Sequence, residues 1–81
     1  MAKPSPSYNG SKELVALGQT IRESRREIGF SQEAFADEVG IDRSYLGGIE
    51  RGEHNLALIN LIKIATALNI SAGKLLSKAN I

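Results

Sequence analysis

A chain of 81 residues with a net charge of +1, 42% hydrophobic and 23% charged, has room for one small core and no second domain. Zero cysteines and a single histidine exclude disulfides, thiolate chemistry and a structural zinc site, so stability must come from packing alone or from dimerisation. Four aromatic residues, Tyr8, Phe30, Phe35 and Tyr45, stand among frequent Leu and Ile, a balance that favours an all-α fold over a β-sandwich.

Residues 1–10 mix Pro, Ser, Asn and Gly without hydrophobic periodicity and read as a mobile N-terminal arm, leaving residues 11–81 as the ordered domain. This stretch has no apolar run of the kind a secretory signal needs, so a cytoplasmic protein is expected and the sequons Asn9-Gly10-Ser11 and Asn69-Ile70-Ser71 read as turns and caps.

Ser11 is a candidate N-cap for a first helix in which Leu14, Leu17, Ile21 and Ile28 recur on one face, ending at Gly29. Arg22, Arg25 and Arg26 cluster late in this helix, able either to face phosphates or to balance Glu23 and Glu27. Ser31 caps a second, shorter helix that turns Phe35, Ala36 and Val39 inward. After the break at Gly40, Asp42 caps a third helix running through Tyr45, Leu46 and Ile49 to Gly52. Two short helices joined by about three residues containing a glycine form a helix-turn-helix pattern.

Leu58, Leu61, Ile62, Ala65 and Leu68 lie in a fourth helix that is apolar on most of its circumference, which predicts the buried centre of a bundle, with Asn55 as its N-cap. Ser71 caps a fifth helix anchored by Leu75 and Leu76. The expected architecture is therefore a five-helix, all-α domain.

Ser31-Gln32-Glu33-Ala34-Phe35-Ala36, Gly40-Ile41, Ser44-Tyr45-Leu46 and Ile49-Glu50-Arg51-Gly52, followed by Leu61, Ile64, Ala65, Leu68 and Leu75-Leu76, together resemble the lambda-repressor-like helix-turn-helix regulators of the Cro and XRE type. Within that family the run from Asp42 to Asn55 is most similar to the controller proteins of restriction-modification systems. The resemblance implies a transcriptional regulator that binds double-stranded DNA. In such a motif the second helix lies in the major groove with its N-terminal side chains at base edges, which here points to Arg43, Ser44 and Gly47.

Arg43 carries the sharpest expectation, because its guanidinium fork matches guanine O6 and N7; the plainer role is a solvated charge beside a cap. Ser44 discriminates little between bases, and Gly47, with its neighbour Gly48, can serve only by permitting close approach of DNA or of another helix. Gln32 resembles the family's backbone-contacting glutamine, or simply helps to cap its own helix. Tyr45, Arg51 and Asn55 resemble further backbone contacts, with half-buried core as the other reading of Tyr45, and Arg22 and Arg26 are candidates for the flanking phosphates.

Charge complicates this picture. Residues 31–55 hold two basic side chains against six acidic ones, a sum of minus four, so the acids must be turned from phosphate and Glu50 is expected to pair with an arginine such as Arg22. With few cations per subunit, useful affinity would come from a homodimer on a pseudo-palindromic operator, with half-sites about 34 Å apart. Asn69, Ile70, Leu75, Leu76 and Ile81 are the candidate interface residues.

Competing classes are weak. His54 has no nucleophile or base partner that would make an enzyme, and no cationic stripe with Trp or Phe suggests a membrane surface. No metal, cofactor or small-molecule ligand is expected in a domain this small. The serious alternative is a helix-turn-helix protein-interaction module such as an antitoxin, because a fold alone does not fix a function.

Overall fold

A computed structural model describes residues 10–81, so the arm expected over residues 1–10 lies almost entirely outside the described residues. Five helices follow one another: α1 (Lys12–Glu27), α2 (Gln32–Val39), α3 (Arg43–Glu50), α4 (Leu58–Ala67) and α5 (Ala72–Lys78). Their main contacts, α1 with α3, α3 with α2, α2 with α4, α4 with α5 and α5 with α1, form a closed circuit around a single core.

Local chemistry sets the helix boundaries. Ser11, Ser31 and Ser71 each accept a hydrogen bond from the third helical amide (Leu14, Ala34 and Lys74, at 3.3, 3.1 and 3.0 Å), satisfying an orphan N–H as predicted for these caps. All five helices end in the same way. Gly29, Gly40, Gly52, Asn69 and Asn80 take positive φ, and at each the residue beyond donates back to a carbonyl five positions earlier. At Gly40, with φ 83°, this turn is what joins α2 to α3 within three residues.

Asn55 does not cap α4 as expected: Ala57 holds that position, so the chain runs two residues further before the helix begins. Ile28 is also displaced from its expected inward place. It sits at the C-cap, half exposed, because the turn at Gly29 hands the core position to Phe30, whose ring packs on Phe35 at 5.5 Å.

The core is aliphatic with one aromatic centre: Ile21, Phe35, Leu46, Ile64 and Leu75 are wholly enclosed, ringed by Leu17, Val39, Ile49, Leu61 and Leu68. The fourth helix corrects the expectation of a fully buried centre. Leu61, Ile64 and Ala65 face the core, whereas Leu58 is 68% exposed, Ile59 64% and Ile62 42%. Among the described residues, the side of α4 that carries Leu58 and Ile59 is not covered by another helix.

A candidate nucleic-acid interface

The interface is built on the junction of α1 and α3. A methyl group at Gly18 would run into the carbonyl oxygens of Ile49 and Glu50, so only glycine allows the two helix backbones to approach this closely. That approach brings Arg25, one turn beyond Ile21 on the inner face of α1, against the end of α3.

Arg25 and Glu50 form a bidentate, almost fully enclosed ion pair: Arg25 Nε donates to Glu50 Oε2 at 2.8 Å and Nη2 to Oε1 at 3.0 Å, with side-chain exposures of 8% and 3%. Arg25 Nη1 also donates to the Phe30 carbonyl at 3.0 Å, tying the end of α1 into the same cluster. Glu50 therefore pairs with Arg25 and not with Arg22, which stays exposed. The sequence held the signal, since Arg25 is in phase with the buried Gly18 and Ile21 and Arg22 is not.

From this buried pair a polar chain runs outward. Gln32 Nε2 donates to Glu50 Oε1 at 3.1 Å, and its other amide atom, Oε1, accepts from Arg43 Nη1 at 3.2 Å. Gln32 thus does more than begin α2: it links the first residue of α3 to the interior. Arg43 is exposed, and a guanidinium has further N–H donors beyond the one given to Gln32.

Ser44 donates its hydroxyl to the Asp42 carboxylate, which holds Asp42 below its ordinary pKa of 3.8. Gly47 is buried beneath the ends of Arg51 and Gln32. Gly48 has a purely internal reason to be glycine, because a methyl group there would collide with the His54 imidazole. His54 is buried at 7% exposure, with its ring 4.9 Å from that of Tyr45. Tyr45 is half-buried, and its hydroxyl accepts from Asn60 Nδ2 of α4 at 3.2 Å. His54 is a scaffold residue that sequence reasoning missed.

Arg51 is exposed and pairs with Glu53 at 2.8 Å, a contact that lowers the Glu53 pKa. Arg22, Arg26 and Arg51 line one open depression of about 430 Å³. A second, of about 400 Å³, shares Arg22 and Arg51 and is floored by Gln32 and Gly47. Asn55 lies apart from both, exposed in the loop before α4. One concave surface therefore carries Arg22, Arg26, Arg51 and Gln32, with Arg43 at its edge.

The expected interface residues are scattered. Leu75 is wholly enclosed by the chain's own core and cannot meet a partner; Ile70 and Leu76 are half-buried against that core; Asn69 and Ile81 are exposed. No single helix among the described residues is long and apolar enough to cross a membrane.

A helix-turn-helix family profile matches residues 21–75. The chain is 38% identical over 64 residues to control protein C.MunI of Mycoplasma sp, covering 78% of this chain and 86% of that one. It is 42% identical over 67 residues to control protein C.SmaI of Serratia marcescens, covering 83% and 77%. This chain belongs to the helix-turn-helix transcriptional regulators of the Cro and XRE type. Among solved structures it is similar to the restriction-modification controller protein C.AhdI from Aeromonas hydrophila, with 51% identity, a TM-score of 0.75, and coverage of 78% of this chain and 96% of that one. The biofilm regulator SinR, solved in complex with DNA, has a TM-score of 0.70 and 36% identity over 74% of this chain and 97% of that one.

Proposed function

We propose that this regulator binds double-stranded DNA with the N-terminal end of α3 in the major groove, as a homodimer on a pseudo-palindromic operator. The observation that carries the reading is the Arg25–Glu50–Gln32–Arg43 chain: an exposed guanidinium at the first residue of α3 is oriented by a glutamine fixed to a buried ion pair. An arginine positioned in this way loses less freedom when it engages a guanine edge.

In this reading Ser44 meets the groove next to Arg43, Gly47 lets Gln32 and Arg51 pack close over α3, and Gln32, Tyr45, Arg51, Asn55, Arg22 and Arg26 serve the phosphates. The enclosed pairing of Glu50 with Arg25 removes one of the six acids from competition with phosphate. Control proteins among the relatives support a controller circuit of a restriction-modification system, acting in the cytoplasm, as its setting.

Selection from a random DNA library at moderate salt, with wild type and Arg43→Ala in parallel, tests the proposal. An enriched inverted repeat that Arg43→Ala binds about 1 to 3 kcal/mol more weakly is the expected result. Failure of the folded wild type to enrich any sequence would overturn it in favour of the protein-interaction module.

A further inference from the structure

Arg43, Gly47 and Arg51 follow one another at four-residue spacing along α3 and its C-cap, about 6 Å apart and each turned about 40° from the last. Side chains on a helix lean toward its N-terminus, so Arg51 reaches back over the turn that holds Gly47. Its Nη1 lies 3.1 Å from where a methyl group on Gly47 would stand, and Gln32 Oε1 lies 3.6 Å from the same point. The place on α3 that Gly47 leaves open is therefore filled by the head of Arg51.

The neighbouring glycine completes the arrangement. Glu53 Oε1 stands 3.4 Å from the methyl position of Gly48, and the Glu53 amide donates to the Gly48 carbonyl at 2.9 Å. From that seat the carboxylate takes Arg51 by one edge, accepting from Nε at 2.8 Å and from Nη2 at 3.2 Å. A guanidinium is a rigid planar fork, so engaging its Nε–Nη2 edge leaves the Nη1–Nη2 end outside the clamp, with two parallel N–H groups for a second contact. The Arg51 side chain is 59% exposed, and a depression of about 400 Å³ opens over Arg51, Gln32 and Gly47.

Charge decides what such an end suits. Glu53 already offsets the cation and repels a phosphate brought to the same head. Guanine O6 and N7 are uncharged acceptors that match two parallel N–H groups without that repulsion.

We infer that Arg51 is a second base reader, presented over Gly47 and aimed by Glu53 at a guanine edge in the major groove. The inference rests on the reading of α3 in the groove given above, and it moves Arg51 from the phosphates to a base pair distinct from that of Arg43. Glu53 is a positioning residue that acts through Arg51.

The test is competition binding by the full chain against single-base variants of the operator that wild type enriches, over a range of salt and with circular dichroism as the control for folding. Arg51→Lys keeps the charge and loses the fork. It is expected to lose about ten-fold or more of the preference at one G·C pair of each half-site, to keep the preference that Arg43→Ala abolishes, and to leave the salt dependence unchanged. Arg51→Ala should lose the same preference. Glu53→Gln should reduce it less, tighten binding to unrelated DNA, and change the preference no further in the Arg51→Lys background. A loss in Arg51→Ala that is uniform across sequences, with the slope of log K against log salt smaller by about one and binding restored in Arg51→Lys, marks a phosphate contact. That result, or unchanged discrimination in Arg51→Lys, overturns this inference and leaves α3 in the groove. A folded wild type that enriches no sequence overturns both readings.

Discussion

The α1–α3 junction and the outer face of α4 lie in one small molecule and solve opposite problems. At the junction, a glycine contact, an enclosed ion pair and a directed chain of hydrogen bonds fix where one exposed arginine points. On α4, branched aliphatic side chains lie open with no directional partner. The difference teaches that polar atoms are used here where an angle matters, and apolar area where only contact matters. Hydrogen bonds fall off steeply with misalignment, whereas apolar burial is nearly indifferent to direction.

The largest effect should come from breaking the polar side. Arg25→Ala leaves Glu50 buried without its cation and should cost about 3 to 5 kcal/mol in denaturant unfolding. Replacing both partners, as Arg25→Met with Glu50→Leu, should restore most of that stability while still lowering operator discrimination, because Gln32 loses the acceptor that orients it. Recovery of both properties together would show that the pair serves stability alone.

Gly18→Ala should cost about 1 to 3 kcal/mol or more in the same assay, since the obstructing atoms are backbone carbonyls that cannot rotate away. Gln32→Ala is expected to leave unfolding within about 1 kcal/mol of wild type, yet flatten the preference for the correct base at the position we propose Arg43 to read, measured by competition with single-base operator variants. The contrasting single change on α4, Leu58→Gln, should shift monomer stability by no more than about 0.5 kcal/mol, because the side chain is already largely in water.

The smallest effect concerns pH. The Ser44 hydroxyl lowers the Asp42 pKa and the Arg51 side chain lowers that of Glu53, so both carboxylates contribute stability that is fully present above their ordinary values of 3.8 and 4.5. That contribution is lost as pH falls through the lowered values. Unfolding midpoints should be flat between pH 7 and about 5 and then decline slightly more in wild type than in a Ser44→Ala, Glu53→Gln variant.

Much of the fold was legible in the residues themselves. The serines at 11, 31 and 71 and the glycines at 29, 40 and 52 act locally, and local signals survive in a linear sequence. Inward positions on α2 followed from periodicity because that helix has one apolar face and one charged face. On α4 periodicity failed: an apolar side chain meant for a core and one left open look alike, and Leu58 was placed inside on that ground. Leu75, conversely, reads from the sequence both as the anchor of α5 and as an interface candidate, and its full enclosure leaves only the first role. At the site, helix position singled out Arg43, but the link through Gln32 to Glu50 joins α2 to α3 across 18 residues, and no pattern of neighbours in sequence reveals it.

The closed circuit of helices has a temporal side. Its closing contact is made by α5, where Leu75 fills the core and Lys78 Nζ donates to Ser24 Oγ of α1 across 54 positions of sequence at 3.1 Å. As the chain emerges from the ribosome, the α1, α2 and α3 arc, arginine included, is made well before that clasp exists. The arginine-bearing arc is thus synthesised first, and the stability that holds it in shape arrives with residues 72–78, so completion of this core waits on α5.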